Sequence, residues 1–460
     1  MTSAALMRDE AVRLHREGRH DAARAAYTAC LAHRPQDAGM WSNLGALLRV
    51  MGEPDLARHA QEKAFALDPD SLVVRNNLAN ILNDLGAHAR ALELRLALMQ
   101  AQPDHPAHAA MAAKSLRALG AFARAQKLLD ANLARFPDHA ESRIQRALTA
   151  LTAGDYAQGF TDFAARWETG ELTPRQMRTP KYQGEALTGQ SVLVLPEQGH
   201  GDVMAMLRFL PILKARGAGR VLVAVEKPLV RVLSAIEGAD WIGHVDDLRE
   251  PYQLYTDVMD LPRWHFADHA DLPAPVTLHL PEDSRARARG LLAPYGERFK
   301  IGVVWTGSQT YRGNTLRSVS HRRFHDWIDL PDTQLFSLYK GPDLAALKAD
   351  GSDAFILDLG GQDRDFADCA AVMAGLDLVV TTCTATAHLA GAMGVKTWTL
   401  LHWDPFWMWG QGHEDSPWYP AMRLWRQSAP RDWDGVFARL RPALLAEIAA
   451  WQGAWRKGLS

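Results

Sequence analysis

The sequence predicts a two-part protein, in which an α-solenoid of helical repeats is followed by twin α/β lobes of the Rossmann type. Two observations support this fold class. Beyond about residue 190, continuous apolar segments alternate with amphipathic ones, a pattern typical of parallel strands separated by helices. Before that point glycines and prolines recur every 34 residues, at Gly18, Gly52, Gly86, Gly120 and Gly154 and at Pro35, Pro69, Pro103 and Pro137.

The composition is that of a folded protein with more than one core. Of 460 residues, 47% are hydrophobic and 23% charged, and the net charge of −2 gives no global field that would attract nucleic acid or an anionic membrane. The three cysteines are widely separated and lack metal-binding spacing, which favours a reducing compartment. No segment reaches about 18 uncharged apolar residues. We therefore expect a cytoplasmic protein without nucleic-acid partners or membrane insertion.

Each 34-residue unit predicts a helix–turn–helix. The repeated glycine suits the turn between the two helices, and the repeated proline marks the end of the second helix. Small residues recur where the helices would cross closely, at Ala11, Gly45, Ala79, Ala113 and Ala147. Because one unit alone leaves an apolar face open, stacked units form a curved solenoid whose first helices line a concave groove.

The repeats resemble the tetratricopeptide repeat. The second copy carries the fullest pattern, namely Trp41, Leu44, Gly45, Leu48, Ala57 and Pro69. Four copies are complete and a fifth fades after Phe163, so the repeat domain is predicted to span residues 1–170. The resemblance implies that a polypeptide partner binds in the groove.

Asparagines recur at groove positions of neighbouring repeats. Asn43 and Asn77 share one position, and Asn80 and Lys114 share another. An asparagine side chain both donates and accepts hydrogen bonds, so a row of them would hold the backbone of an extended peptide whatever its sequence. O-GlcNAc transferases have a similar asparagine ladder. The alternative is that these residues are solvated polar side chains on a helix surface.

The rest of the chain predicts two tandem α/β lobes, over residues 171–290 and 291–460. In the first lobe a buried strand is expected to open each of the segments SVLVLPEQGHGD and RVLVAVEKPLVRVLSAI. In the second lobe strands are expected at FKIGVVWTGS, TQLFSLYKG, AFILDLGG, LDLVVTTCT and VKTWTLL. Two such lobes leave a cleft at the carboxyl ends of their strands, where open α/β folds bind ligands. The chain has no dinucleotide-binding glycine fingerprint, P-loop or serine-hydrolase elbow, which disfavours those three enzyme classes.

The loop after the first predicted strand, residues 197–202, is the first candidate site. Gly199 and Gly201 let the backbone approach a ligand closely, and His200 and Asp202 are able to accept a proton. The segment PEQGHGDVMAMLRFLPIL resembles the opening motif of heptosyltransferase-like glycosyltransferases, which have the GT-B fold. The resemblance implies Asp202 as the catalytic base, with His200 as the second choice. The alternative for Asp202 is an ordinary helix cap.

The second candidate site is the strand-to-helix turn of residues 381–391. A helix start presents unpaired amides and the positive end of a dipole, which suits a phosphate leaving group. The turn also resembles the donor-binding segment of the same family. The resemblance implies a donor site that includes Thr384, Ala385, Thr386 and His388. Cys383 stands where that family has an aspartate, so either the donor differs or the lobe has lost activity. The alternative is a capping threonine and a packed histidine.

Basic and aromatic residues complete the predicted donor site. The segments VVWTGSQTYRGNTLRSVS and SLYKG resemble strand ends of the same family, which implies donor-site roles for Trp305, Ser308, Arg312, Arg317 and Lys340. Such cations would neutralise the leaving phosphate, so we expect a metal-independent mechanism; the alternative is that the arginines are exposed loop charges. In the aromatic segment 402–425 most rings are expected to pack structurally, with Trp407 and Trp409 kept as donor-site candidates.

Together the resemblances imply an inverting glycosyltransferase that moves a sugar from a nucleotide-activated donor to a serine or threonine hydroxyl of a protein held by the repeats. Bacterial flagellin glycosyltransferases share this architecture, which implies flagellin as a candidate acceptor and a CMP-activated nonulosonic acid as a candidate donor. No further cofactor is expected. Two alternatives stay open: a non-catalytic scaffold or sugar-nucleotide sensor, favoured by Cys383, and a transferase acting on lipid-linked or saccharide acceptors.

Overall fold

The computed structural model describes residues 3–264, 266–311 and 313–458, with the side chains among them from residue 7 to residue 452. Arg312, a predicted loop cation, lies outside the described residues. The chain divides into two compact units. The first consists of Met1–Ala150 and Ala165–Leu172, and the second of Leu151–Ala164 and Thr173–Ser460.

The first unit consists of helix pairs that follow the 34-residue period. Its helices are α1 (Ser3–Arg16), α2 (His20–His33), α3 (Ala38–Val50), α4 (Pro54–Leu67), α5 (Leu72–Asp84), α6 (His88–Ala101), α7 (Pro106–Ala118), α8 (Phe122–Arg135) and α9 (Ala140–Ala153). By its place in the sequence α10 (Tyr156–Phe163) would be the second helix of a fifth pair, but it belongs to the second unit. The prediction of a helical-repeat solenoid is confirmed.

The repeated residues have the roles that their chemistry predicts. The five turn glycines, from Gly18 to Gly154, have φ angles between 72° and 89°, a backbone conformation that glycine adopts without strain. The repeated alanines at the start of the second helices, such as Ala57, are fully buried. At Gly45 the helices approach so closely that an added Cβ would lie 3.1 Å from the carbonyl oxygen of Ala57. Larger residues at these positions would push the two helices of a repeat apart.

The second unit contains two parallel sheets. The first sheet has the strand order β3-β2-β1-β4, with β1 (Ser191–Leu195), β2 (Arg220–Ala224), β3 (Trp241–Gly243) and β4 (Leu254–Asp257). Val192 of β1 lies opposite Val221 on one side and Leu254 on the other. The order reverses beside β1, so the loop after β1 lies at a position where open α/β sheets bind ligands.

The second sheet has six parallel strands in the order β10-β9-β8-β5-β6-β7. They are β5 (Phe299–Val304), β6 (Thr333–Ser337), β7 (Ile356–Asp358), β8 (Leu378–Thr382), β9 (Thr397–Leu401) and β10 (Met422–Arg426). The strand order reverses between β5 and β8, which pair directly. The loops after these two strands therefore flank the switch point of the sheet.

The helices of the second unit, after α10, are α11 (His200–Met206), α12 (Pro211–Ala215), α13 (Val230–Leu233), α14 (Glu282–Leu292), α15 (Asn314–Arg317), α16 (Leu344–Ala349), α17 (Phe366–Met373), α18 (Ala385–Ala392) and α19 (Trp433–Gly458). All predicted strands are present, while β3, β4 and β10 were not predicted. The segment VMAMLRFLPILKARG predicts one helix ending at Gly217, and this prediction is wrong, because a 3₁₀ turn follows α11 and a new helix, α12, begins at Pro211. None of the described helices has the length and apolar character needed to cross a lipid bilayer.

An aromatic cluster forms part of the core of the second unit and includes α10. Tyr156 stacks on Phe266 with ring centroids 4.4 Å apart. Phe160 meets Trp407 edge to face at 5.5 Å, and Trp407 meets Trp418 in the same way at 5.5 Å. The helix that completes the fifth repeat by sequence is therefore part of the α/β core.

Candidate functional site

Asp202 lies in the first turn of α11, directly after the loop that follows β1. Gln198 turns this loop with a φ of 61°, and the backbone N–H of Gly199 donates to the Asp202 carboxylate over 3.0 Å. Burial raises the pKa of Asp202 to about 6, and the charge of Glu197 acts in the same direction. Backbone hydrogen bonds and the positive charge of Arg317 oppose this rise in pKa. The group is therefore a carboxylate of raised proton affinity.

The loop after β1 meets the start of α18 with no room between them. A Cβ added to Gly201 would lie 2.5 Å from Cδ2 of His388 and 3.2 Å from Cα of Ala385. Close backbone approach of this kind requires glycine. The structure thus brings together the two sites proposed from sequence, the loop that carries Asp202 and the helix start that follows Cys383.

Thr384 is the N-cap residue of α18, but its side chain does not cap the helix. Its hydroxyl instead contacts the hydroxyl of Thr381 at 3.2 Å, at the buried end of β8. Ala385 and Thr386 form the first, half-buried turn of the helix. Because the first amides of a helix have no partner within it, this turn and its dipole suit an external anion.

Arg317 brings a positive charge to the same turn. Its Nη1 donates to the carbonyl oxygen of Cys383 over 2.6 Å, and its Nε donates to Oδ1 of Asn314 over 3.0 Å. The guanidinium also lies over the ring of Tyr311, 4.6 Å from the centroid. Both of these hydrogen-bond acceptors are neutral, so an anionic ligand would be a stronger partner than either.

Cys383 is a buried thiol held by Trp409. The indole N–H of Trp409 donates to the sulfur over 3.0 Å. Burial raises the pKa of Cys383, while the bond from Trp409 and the charge of Arg317 lower it. Compared with the aspartate of the resembled family, a neutral thiol removes one negative charge from beside Arg317.

His388 is buried between aromatic rings. Its Nδ1 lies 3.0 Å from the hydroxyl of Tyr419, and its ring stacks on Trp409 at 5.3 Å. Burial, with the positive charges of Arg208 and Arg317, lowers the pKa of His388 to about 3. The imidazole is therefore neutral near pH 7 and carries no charge to offer a phosphate.

His200 begins α11 and packs against the ring of Phe366, with centroids 5.2 Å apart. Burial lowers the pKa of His200, and the charge of Glu226 opposes this. A neutral imidazole is able to accept a proton, so His200 stays the second candidate for a base.

Three predicted donor-site aromatics lie in the interior instead. The ring of Trp305 is 2% exposed and packs against Tyr339 at 5.1 Å, and the rings of Trp407 and Trp409 are also buried. Little surface of these three rings is therefore open to a donor, although Trp409 contacts Cys383. Ser308 is exposed, and its hydroxyl pairs with that of a neighbouring threonine at 2.8 Å.

Lys340 follows β6 and donates its ammonium to the backbone carbonyl oxygen of Asp363. Residues 363–365 form an Asp-x-Asp triplet, a motif with which many transferases bind magnesium. Its two carboxylates accept hydrogen bonds from Arg287 and Arg231, each over 3.0 Å. Burial raises the pKa of Asp363 to about 7, against the charge of Arg287. Among the described residues, no three His, Cys, Asp or Glu side chains converge as a metal site requires.

Two buried residues near the site were missed by sequence reasoning. Arg208 donates to the carbonyl oxygen of Trp418 over 3.1 Å, and its guanidinium lies 5.0 Å from the ring centroid of Tyr419. Burial raises the pKa of Tyr419 to about 12. The signal for Arg208 was present, because one arginine interrupts the apolar segment MAMLRFLPIL, and a buried charge needs specific partners.

The predicted groove residues of the first unit are partly engaged with one another. Nδ2 of Asn77 donates to the Ser42 hydroxyl over 3.1 Å. Oδ1 of Asn80 accepts from the guanidinium of Arg95, which is 2% exposed. Asn43 and Lys114, the other two predicted groove residues, are half-buried on α3 and α7. The two asparagines with these partners are therefore held in fixed orientations.

Comparison with known proteins supports the repeat assignment. Residues 8–71 and 110–174 match the family model described as tetratricopeptide repeat. The first unit is a tetratricopeptide-repeat scaffold. Protein FlbA of Caulobacter vibrioides is 25% identical over 339 residues, which cover 65% of this chain and 54% of FlbA. The chain thus spans about half the length of this curated relative.

Solved structures with similarity to this chain include those of MamA and PilW. MamA from Desulfovibrio magneticus is 16% identical over 37% of this chain and 97% of its own, with a TM-score of 0.33. PilW, described as a widely conserved type IV pilus biogenesis factor, is 18% identical over 38% of this chain and 80% of its own, with a TM-score of 0.34.

The tetratricopeptide-repeat pattern also extends through the span between the two matched segments. There Gly86 has a φ of 81°, and Ala91 is fully buried, like their counterparts in the matched repeats. The third repeat therefore keeps both the turn and the helix contact of the others. Tetratricopeptide repeats use their extended concave surfaces to bind other proteins.

Proposed function

We propose that the second unit is an inverting glycosyltransferase, which moves a sugar from a nucleotide-activated donor to a serine or threonine hydroxyl. The observation that carries this proposal is that Gly201 lies against the uncapped start of α18, which brings the neighbouring Asp202, whose pKa is about 6, to that helix start. Arg317, which donates to the carbonyl of Cys383, adds a positive charge there. Glycosyl transfer needs a group that accepts a proton and a group that stabilises a leaving anion, and this cluster has both.

In the proposed reaction, Asp202 takes the proton of the acceptor hydroxyl as that oxygen forms a bond to the anomeric carbon. The bond from this carbon to the phosphate oxygen breaks, and its electron pair leaves with the nucleotide. Arg317 and the first amides of α18 would receive that charge. A carboxyl with a pKa near 6 is mostly ionised at pH 7 and is a stronger base than an ordinary aspartate.

The neutral thiol of Cys383 favours a donor whose sugar itself carries a negative charge. An aspartate at this position would add a second negative charge close to Asp202 and would repel such a donor, whereas the thiol is neutral. A CMP-activated nonulosonic acid, whose sugar has a carboxylate, is a donor of this kind. We propose it as the first donor to test.

The tetratricopeptide repeats would bind the acceptor protein. Their groove residues, with Asn43 and Asn77 at equivalent positions, suit the backbone of an extended polypeptide. A flagellin-like protein is the candidate acceptor that the resemblance suggests.

The test has two steps. First, thermal unfolding of the full chain is measured with a panel of nucleotides, since a ligand of the folded state raises the unfolding temperature. Second, a candidate acceptor is co-expressed with wild type, Asp202→Asn or Asp271→Asn, and its intact mass is measured. We expect a mass increase with wild type and with Asp271→Asn, whose side chain is exposed, and little or none with Asp202→Asn. Equal modification by all three would reject Asp202 as the base.

The competing function is a scaffold or sugar-nucleotide sensor without catalysis. The buried, neutral state of Cys383 favours it, because a lobe that had lost activity would tolerate the missing carboxylate. A sensor would be stabilised by a nucleotide while leaving every acceptor mass unchanged. A plain scaffold would show neither effect, so the same two measurements separate all three functions.

A further inference from the structure

An open cavity of about 220 Å³ lies beside the end of β10. The residues that line it include His413, Glu414, Arg426, Gln427, Ser428 and Arg439. None of these six residues belongs to the cluster around Asp202, so the argument for a ligand in this cavity does not depend on the proposed transferase activity.

Gln427 carries an amide donor that has no acceptor. Its side chain is 5% exposed, and its Oε1 accepts from the backbone N–H groups of Trp403 and Arg431 over 3.0 and 3.1 Å. Because both partners are donors, the oxygen must face them, and Nε2 must point the other way. In the part of the chain that the structure describes, this buried Nε2 has no hydrogen-bond partner. Such an atom calls for a ligand or water.

Arg426 and Arg439 add two guanidinium groups whose acceptors are neutral. Arg426 donates Nε to the carbonyl oxygen of His413 over 3.2 Å and Nη2 to that of Trp409, while its buried Nη1 has no partner among the described residues. Arg439 donates Nε to the carbonyl oxygen of Gly435 over 3.2 Å and Nη2 to that of Arg426. Within the described residues, neither arginine forms an ion pair with a carboxylate.

The carboxylate of Glu414 lines the cavity and that of Asp432 lies near Arg439, and both have partners outside the proposed anion site. Glu414 pairs with Arg423 over 2.8 Å. Asp432 accepts from the Ser428 hydroxyl over 2.5 Å and from the Gly435 N–H over 2.8 Å, and these bonds, with the charge of Arg439, lower its pKa. Asp432 thus offsets part of the charge of Arg439, and the cavity keeps an excess of positive charge.

We propose that this cavity binds a phosphate-type oxyanion. Two guanidinium groups and one amide N–H match the several acceptor oxygens of such an ion, and charge-assisted hydrogen bonds are the strongest that these groups form. The volume is below the roughly 300–1,000 Å³ of sites for larger ligands, so the cavity suits a free phosphate or the head of a phosphomonoester.

An anion bound in this cavity would also affect the candidate active site. Arg426 donates to the carbonyl oxygen of Trp409, whose indole N–H holds the Cys383 sulfur and whose ring stacks on His388. Filling the cavity would hold Arg426 in place and with it the turn that carries Trp409.

The test is calorimetric titration of the full chain with inorganic phosphate and with a simple phosphomonoester, at constant ionic strength set with chloride. Gln427→Glu keeps the oxygen that accepts from Trp403 and Arg431 but replaces the lone donor with a negative charge. Arg439→Gln removes a cation from the cavity, and Arg441→Gln makes the same change on α19 at a residue that pairs with Asp329 instead. We expect saturable binding of at least one of the two ligands by wild type and by Arg441→Gln, and at least tenfold weaker binding by Gln427→Glu and Arg439→Gln.

A further variant distinguishes this cavity from the proposed donor site. Arg317→Gln would weaken phosphate binding at the donor site but not here. Loss of phosphate binding in Arg317→Gln together with wild-type binding in Arg439→Gln would assign the ion to the donor site and overturn this proposal. So would the absence of saturable binding by wild type. If circular dichroism shows that Gln427→Glu fails to fold, the phosphate affinities of Arg439→Gln and Arg441→Gln decide the outcome, because Arg439 is exposed and its replacement should not disturb folding.

Discussion

Gly201 lies against His388 so closely that a Cβ on Gly201 would be 2.5 Å from the imidazole Cδ2. The imidazole has no space to retreat, because Trp409 stacks on it and Tyr419 bonds its Nδ1. We therefore expect Gly201→Ala to lower the free energy of unfolding by about 1–3 kcal/mol, as overpacking of a rigid contact does. Urea unfolding of the full chain measures this change.

The matched control for this substitution is Gly290→Ala. Gly290 lies within α14, and a Cβ there would meet nothing within 4 Å. Alanine in a helix is favoured over glycine by roughly 0.5–1 kcal/mol, so this variant should be slightly more stable than wild type. Equal effects of the two substitutions would show that the contact with His388 is not tight.

The sequence was most informative where one physical requirement repeats. The turn glycines recur with the repeat because each turn needs a positive φ, and buried strands such as β8 are continuous apolar segments. Strands β3 and β4 were missed because they are short and contain polar or aromatic residues. The 34-residue period also placed α10 in the repeat arm, since periodicity does not report that Phe160 packs on Trp407.

The loops of the candidate site were predictable from the sequence, but the buried side chains that pack around them were less so. Asp202 and Thr384 follow buried strands, and the structure has both residues at the carboxyl ends of parallel strands, the edge at which open α/β sheets bind ligands. Whether an aromatic ring faces a ligand or the core depends on tertiary packing, and Trp305 could not be assigned from its neighbours in sequence. The same holds for the contact of Arg208 with Tyr419, which joins residues far apart in the chain.

The raised pKa of Asp202 predicts a specific pH dependence of stability. Its pKa is about 6 in the folded protein, against ~4 for an aspartate in an unfolded chain. Between these values the folded state binds more protons than the unfolded state, so the free energy of unfolding contributed by this group falls as pH rises from about 4 to about 6. Below that window Asp202 is protonated in both the folded and the unfolded state. Above it the stability that this protonation contributes is fully lost.

Asp202→Asn removes this titration and retains an acceptor for the Gly199 N–H. We expect the stability of the variant relative to wild type to increase across the window and to stay constant above it. Urea unfolding of both proteins at a series of pH values measures the difference. Parallel curves would mean that the folded-state pKa of Asp202 is ordinary.

Phe160 tests the assignment of α10 to the second unit. Its ring is 2% exposed and lies against Trp407, and Phe160→Ala should cost about 3–5 kcal/mol of unfolding free energy, as for a buried phenylalanine. Phe355→Ala makes the same change at a ring that is 52% exposed, and should alter stability far less. The change should appear in the unfolding of the α/β unit, followed by the fluorescence of its tryptophans. A loss confined to the helical signal of the repeats would contradict the assignment.

Asn43 and Asn80 are both predicted groove residues, yet they should respond differently to truncation. Oδ1 of Asn80 accepts from Nη2 of the buried Arg95, whose Nη1 donates to Asn76 instead. Asn80→Ala removes the acceptor of Nη2 and should cost about 1–3 kcal/mol of stability. Asn43 is half-buried on α3, and Asn43→Ala should change stability by roughly 0.5 kcal/mol or less. If the groove holds a peptide backbone, Asn43→Ala should instead weaken binding of the acceptor polypeptide, measured by titration at a temperature where both variants are folded. A variant at Asn43 that binds like wild type would favour a solvated helix surface over a peptide-binding ladder.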